Sequence, residues 1–400
     1  MTALDTSAVR YDPYDYAVHE DPFPTYARLR DEAPLYFNDD LGFWALSRHA
    51  DVVAAFRDAQ RFSSSYGVTI DPNVWGPQAE RSTSFLGMDP PRHTRMRALV
   101  SRGFTPRRVT ELEPHVRELT VHHLEAAAAH DTFDFIRDLA GRVPMDVISE
   151  LVGVPAADRD ELRRLADLLI HREEGVNDMP AAGMEAAMTL SAYYADLIAA
   201  RRKQPLGDLT SALLAAEIDG DRLTDDEIAG FLFLLIVAGN ETTTKLLGNA
   251  WYWAWRNPDQ RALPFGDPAR IPDWVEETLR YDTSTQMLAR RSQVDVPLHD
   301  GVIPSGAPVL LLVGSANRDP RVFPEPDDYR LDRDTSESAS FGFGRHFCLG
   351  ASLARLEARV VLQELVARIS DYDVDADSAT RVHSVNVRGF ATLPTTVELR

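Results

Sequence analysis

The residues from Phe341 to Gly350, FGFGRHFCLG, surround the only cysteine of the 400-residue chain with Gly342, Gly344, Gly350, His346 and three phenylalanines. A lone cysteine commonly serves as a small buried hydrophobe. A structural zinc would take His346 and Cys348 as two ligands, yet no second pair follows at finger spacing. A cysteine nucleophile needs a base and an orienting group, and the sequence sets neither beside it.

A fourth role uses more of the surroundings. Glycines admit tight turns and let a backbone approach a flat partner closely. A helix beginning just after Gly350 puts its positive end near the sulfur and favours thiolate over thiol. Backbone N–H groups in the turn can donate to that sulfur and tune it as a metal ligand. Together these features describe a thiolate held as an axial ligand for haem iron.

Three further patterns carry candidate chemistry. AGNETTT, Ala238 to Thr244, sets Asn, Glu and three Thr inside an apolar helical run. Burying such groups costs free energy unless each finds a partner. A solvent-facing stripe is the ordinary explanation, but apolar residues flank the cluster at every helical angle. The cluster is expected to be buried and to interrupt the helical ladder locally. EETLR puts Glu277 and Arg280 three apart on a helix, which on a surface contributes only about 0.2–0.5 kcal/mol. HTRMR puts His93 and Arg97 four apart on one helix face, in isolation a solvated basic face, and QMLARRS supplies Arg290 and Arg291.

Phe341 to Gly350 resembles the F-G-x-G-x-H-x-C-x-G haem-binding loop of the cytochrome P450 family, and the other patterns occur in the order that family shows. The resemblance runs from about Asp21 to the C-terminus. It implies the cytochrome P450 fold, mainly α with small β-sheets (α+β) and a long central helix over the haem. It implies haem b, iron protoporphyrin IX, with Cys348 as the axial iron ligand that favours O–O cleavage. Phe341, Gly342, His346 and Gly350 then belong to the haem-binding loop. AGNETTT resembles the oxygen-activation motif A-G-x-D/E-T. Ala238 and Gly239 would leave a groove over the haem face, and Glu241 and Thr242 would serve the protons and hydrogen bonds used when dioxygen is split. His93, Arg97, Arg290 and His346 would meet the haem propionates, with Arg291 as the competing assignment. Glu277 and Arg280 would be the structural ion pair of E-x-x-R, with Arg333 as its third member.

The activity so implied is insertion of one atom of O2 into a medium-sized hydrophobic small molecule. Electrons would come from a ferredoxin or flavodoxin fed by an NAD(P)H-dependent reductase. Arg345, Arg355 and Arg359 are expected to form a basic face for that carrier. A non-catalytic haem sensor or carrier would not need Glu241 and Thr242, and peroxide-driven members often lose that pair. By family position the pocket draws on 66–86, Leu169, Ile170, His171, Phe233, Val237, 285–288 and 387–390. These are mostly apolar, which leaves steroid, terpene, fatty acid and polyketide substrates open.

The elements that must position these residues are mostly helical. GFWALSR reads as a strand, followed by a short helix. Residues 63–85, rich in Gly, Pro, Ser and Asn, read as a long loop of the kind that covers binding sites. Apolar periodicity predicts helices over 109–130, 143–154, 156–171 and 183–202. The longest helix is expected from Thr224, whose hydroxyl and Glu227 form a capping box, to about Trp255. A proline-rich segment precedes the cysteine loop, a last helix follows it, and short strands end the chain. One domain over 1–400 is the economical reading, with 1–20 loosely ordered, and a monomer is expected. A single cysteine leaves no intramolecular disulfide. The N-terminus shows neither the basic start nor the apolar stretch of a signal peptide. The run FLFLLIVAG is too short to span a bilayer as a membrane anchor. A cytoplasmic protein is expected. A net charge of −20 argues against nucleic acid as a partner.

Overall fold

The computed structural model describes residues 9–101, 104–130, 132–218 and 220–400. Its centre is the helix Asp225–Arg256, 32 residues long. The predicted capping box is present: the Glu227 N–H donates to Thr224 Oγ1 at 3.2 Å and the Thr224 N–H to Glu227 Oε2 at 2.9 Å. The helix stops at Asn257, immediately before Pro258, where the next residue has no N–H to continue the ladder. Around it pack the helices Val143–Val152, Arg159–Ile170, Ala181–Lys203, Ile271–Tyr281 and Ala351–Arg368.

A five-stranded sheet flanks the helices in the order 35–38, 43–46, 308–311, 288–292, 62–63. Only the pairing of Phe43–Leu46 with Pro308–Leu311 is parallel. A three-stranded sheet joins the two C-terminal strands, Ile369–Val374 and Pro394–Leu399, to Thr132–Asp134. In the largest apolar cluster, Trp251 of the long helix stacks between Phe135 (ring centroids 5.0 Å) and Tyr372 (3.5 Å). That stack ties the long helix to the C-terminal sheet. No helix among the described residues is long and apolar enough to cross a membrane.

The structure differs from the sequence expectations in three places. The helix expected over 109–130 is two, Pro106–Glu111 and Glu113–Ala127. Pro114 sits in the first turn of the second, where its missing N–H and fixed φ begin a helix better than they continue one. The loop expected over 63–85 ends in short helical turns, Glu80–Thr83 and Ser84–Gly87. It is anchored by Asp71, which is buried and meets Arg172 Nε at 2.8 Å. The expectation of a loosely ordered 1–20 falls partly on residues 1–8, outside the described residues. From residue 9 it is corrected: Tyr11 and Tyr14 are buried, and the Tyr11 carbonyl accepts from Asn38 Nδ2 at 2.9 Å. Aromatic burial of that size holds a terminal segment against the core.

Glu277 and Arg280 form a doubly hydrogen-bonded pair at 2.7 and 2.8 Å, with side chains 1% and 0% exposed. Arg280 also donates to the carbonyls of Asn317, Pro326 and Asp328. Arg333 joins the cluster, its Nε 3.4 Å from Glu277 Oε1. The pair thus clamps the helix Ile271–Tyr281 to the irregular chain leading to the cysteine loop. Removing one partner leaves a buried, uncompensated charge. Arg280→Ala is therefore expected to lower stability by about 3–5 kcal/mol, read as a shifted urea midpoint, whereas an exposed pair such as Arg107–Glu111 costs under about 1 kcal/mol when broken.

Candidate active site

The cysteine loop is shaped by two left-handed glycines. Gly342 has φ +67° and Gly344 φ +71°, and a Cβ on Gly344 would lie 3.0 Å from the Phe56 carbonyl oxygen. Neither position suits an L side chain. Gly350 is different: its φ is −85°, and a Cβ there would meet nothing within 4 Å. It is an opening in the wall, not a backbone requirement. The Cys348 N–H closes the loop by donating to the Phe341 carbonyl at 2.9 Å, and the Arg355 guanidinium lies over the Phe341 ring at 4.4 Å.

Between this loop and the long helix lies a cavity of about 1440 Å³ of atom-free space, counted out to its open mouth. Cys348 is open to the cavity yet hemmed in by protein on nearly all sides. Its exposure is to the cavity and not to bulk water. Burial pushes the thiol pKa up, while the Gly350 N–H, Arg97, Arg355 and the Ala351 N–H pull it down. The helix Ala351–Arg368 starts at this point, so its positive end faces the sulfur. The expected arrangement of helix and sulfur is present.

The long helix supplies another wall through Ala238, Gly239, Thr242 and Thr243. The expected interruption of its ladder is absent: the helix runs continuously from Asp225 to Arg256. The threonines add bonds instead. Thr242 Oγ1 donates to the Ala238 carbonyl at 2.7 Å and Thr243 Oγ1 to that of Gly239 at 3.2 Å. Such back-bonding satisfies a hydroxyl inside a helix without breaking it. Burial of the cluster is as expected, with Asn240, Glu241, Thr243 and Thr244 all under 4% exposed.

Glu241 and Thr242 face different ways. Thr242 lines the cavity, whereas Glu241 does not. Glu241 is held by Asn240 Nδ2 at 3.0 Å and Lys245 Nζ at 3.2 Å. Sequence reasoning missed Lys245, which reads as an ordinary helix residue.

At the cavity edge the structure gathers His93, Arg97, Arg290 and His346. The His93 and His346 rings lie 4.1 Å apart. Neither nitrogen of the buried His93 finds a partner, nor does Arg97 Nη1. Arg97 Nη2 donates to the Phe347 carbonyl at 2.6 Å and Arg290 Nη1 to that of Ala289 at 2.7 Å. Burial and the neighbouring Arg97 and Arg345 hold the His93 pKa down to about 4. Burial, Arg290, His93 and Arg97 lower that of His346. Burial alone brings Arg290 down to about 10, with only Asp89 opposing. Two guanidinium groups and two imidazoles with so few acceptors form a site made for an anion. A flat group bearing two carboxylates, as haem does, fits both the donors and the adjoining cavity. Of the two adjacent arginines, Arg290 lines the cavity, and Arg291 lies over the Tyr66 ring at 4.3 Å.

Two other expectations change. Of the expected pocket residues, Val68, Phe85, Leu86, Ala238, Thr285 and Leu288 line the cavity, but Phe233, Val237, Leu169 to His171 and 387–390 do not. Phe231, Leu234 and Leu235 do, because the helix face that meets the cavity continues back from Ala238 through positions three, four and seven residues earlier. The expected basic face is largely neutralised. Arg355 pairs with Glu276 and Arg359 with Glu113 at 2.7 Å, which leaves Arg345 without an ion pair among the described residues.

Comparison with known proteins agrees with this geometry. The sequence model of the family Cytochrome P450 matches residues 272–399. The chain is 59% identical over 390 residues, 97% of each protein, to a putative cytochrome P450 123 of Mycobacterium tuberculosis. It is 38% identical over 405 residues, 99% of each, to a vitamin D(3) 25-hydroxylase of Pseudonocardia autotrophica. The structure of cytochrome P450 CYP109Q5 from Chondromyces apiculatus superposes with a TM-score of 0.88 at 34% identity, covering 98% of this chain and 99% of that one. A cysteine loop, a polar cluster in an unbroken apolar helix and a rim of arginines and histidines around one cavity therefore have a shared origin as well as a shared logic: the chain belongs to the cytochrome P450 family, the haem-thiolate monooxygenases.

Proposed function

We propose that this protein inserts one oxygen atom of O2 into a medium-sized hydrophobic substrate, with haem b held by Cys348. The observation that carries this reading is the placement of Cys348 and Thr242 on the walls of one cavity at whose edge buried nitrogens of His93 and Arg97 lack partners. Haem, when bound, supplies the activation of dioxygen. The protein's own residues do the rest. The Gly350 and Ala351 N–H groups hold negative charge on the sulfur. His93, Arg97, Arg290 and His346 take the propionates. Phe85, Phe231, Leu234 and Leu235 exclude water and receive an apolar substrate. Thr242 offers a hydroxyl inside the cavity, next in sequence to Glu241. The presence of both residues favours dioxygen over peroxide as oxidant, and catalysis over carriage. The relative named as a vitamin D(3) 25-hydroxylase supports a rigid, largely hydrocarbon substrate among the open classes. We read 1–400 as a single domain acting as a cytoplasmic monomer, reduced by a separate ferredoxin or flavodoxin with its NAD(P)H-dependent reductase.

The reduced, carbon-monoxide-treated protein is expected to show the strongly red-shifted Soret band of thiolate ligation, and Cys348→Ser to lose it; a folded, haem-loaded protein lacking the band would refute the assignment. A second expectation concerns pH. In the haem-free protein burial and the neighbouring arginines hold the folded His93 pKa to about 4, below the ordinary histidine value of 6.5. The unfolded chain then binds more protons between those values, so stability falls as the pH drops through that window. Propionates beside His93 raise its pKa again, so haem-loaded protein should show a flatter profile of urea midpoints over the same range. For the electron donor, Arg345→Glu is expected to slow reduction by an acidic ferredoxin and to weaken its salt dependence, measured by stopped-flow.

A further inference from the structure

A side-chain hydrogen bond ties two walls of the cavity together. Ser284 stands in the irregular chain 282–287, between the helix Ile271–Tyr281 and the strand Leu288–Ser292. It is 5% exposed, and its hydroxyl donates to the Thr242 carbonyl of the long helix at 2.7 Å. Both residues line the cavity. We propose that Ser284 is a positioning residue: its hydroxyl holds the helix backbone at Thr242 against the segment 283–288, and so sets where the Thr242 hydroxyl stands in the cavity. This role deepens the monooxygenase reading above and rests on it.

The carbonyl that Ser284 meets already has a donor. In a continuous helix the carbonyl of residue 242 accepts the N–H four residues further on, and the serine uses its second lone pair. What the extra donor adds is register. The serine itself is held from behind. Its carbonyl accepts the Arg388 N–H at 2.8 Å, and the Gln286 N–H donates to the Asn386 carbonyl at 2.8 Å. The carboxylate of buried Asp282 accepts from Arg388 Nε and Trp253 Nε1, each at 2.8 Å. The Asp282 carbonyl accepts from Asn249 Nδ2 at 2.8 Å. Asn249 and Trp253 follow Thr242 by seven and eleven residues, which puts all three on one face of the long helix. The chain from Asp282 to Ser284 is therefore tied to that helix at three places. Of the three ties, the one from Ser284 to Thr242 has both ends on the cavity wall; Asn249, Trp253 and Asp282 lie outside it.

The Thr242 side chain follows its backbone, because its hydroxyl donates to the Ala238 carbonyl at 2.7 Å. A shift of the helix at this turn thus moves the hydroxyl with it. Thr283, Thr285 and Leu288 line the cavity on either side of Ser284, so a ligand resting on them presses on the same segment that holds Thr242. Removing the serine hydroxyl leaves the Thr242 carbonyl its helical donor. Ser284→Ala therefore strands no buried acceptor and is expected to fold.

Amide hydrogen exchange of the haem-loaded protein should rise about threefold or more over 238–246 in Ser284→Ala, as loss of one hydrogen bond of ordinary net strength implies. Exchange over 249–256, held through Asn249 and Trp253, should stay at its wild-type rate. In turnover with a surrogate ferredoxin, its reductase and NADPH, without added organic substrate, the share of reducing equivalents reaching water instead of hydrogen peroxide should fall by a similar factor. Ser284→Thr, which keeps the hydroxyl, should restore both readouts. In a Thr242→Ala background, Ser284→Ala should change the split between water and peroxide no further, because a residue acting through another is not additive with it. Exchange that is unchanged over 238–246 or equally raised over 249–256 overturns the proposal. So does a split left at the wild-type value by Ser284→Ala, or one changed again in the Thr242→Ala background. Absence of the red-shifted thiolate band would instead overturn the monooxygenase reading, and the exchange arm, which involves no turnover, is read independently of it.

Discussion

Holding negative charge on a sulfur inside a protein is opposed by desolvation, and the architecture around Cys348 is organised by that opposition. Burial alone favours the neutral thiol. Everything that works against burial converges on one atom: two backbone N–H groups, two arginines and the start of the helix Ala351–Arg368. The glycines follow from the same requirement. The chain must turn sharply enough to aim those N–H groups inward, which fixes Gly342 and Gly344 in left-handed conformations. The Glu277–Arg280 clamp then holds the segment on which the loop stands. Stability at this distance from the cavity serves the geometry of one sulfur.

The long helix solves a second problem by using its two sides differently. One face, from Phe231 through Ala238 to Thr242, meets the cavity. Another carries the buried pair Glu241 and Lys245, away from the cavity. A residue and its neighbour therefore serve separate environments, because successive positions point about 100° apart. Polar groups are buried on both sides, yet the helix is not broken, since its hydroxyls bond back onto its own carbonyls. The consequence is a partition between the cavity and the outer helices.

Much of this was legible in the sequence, for identifiable reasons. The cysteine loop, the capping box at Thr224 and the Glu277–Arg280 pair are local patterns, and local patterns survive folding. Arg290 could not be separated from Arg291 by sequence, because alternation along a strand needs to know which face is inward. The cavity wall was misplaced along the helix, with Phe233 and Val237 chosen over Phe231, Leu234 and Leu235, because an apolar run gives no angular reference. The basic face was overestimated because Arg355 and Arg359 find Glu276 and Glu113 from other helices, pairings that span the fold.

The cationic rim has a consequence for the life of the protein in a cell. Buried donors without acceptors are a defect in any chain that has not yet captured its prosthetic group, and ligand binding to the native state is folding free energy by mass action. Empty copies open more often than filled ones, and opened chains are what proteases remove. On the reading proposed above, His93, Arg97 and Arg290 let the supply of haem set how many molecules persist, with no dedicated sensor required.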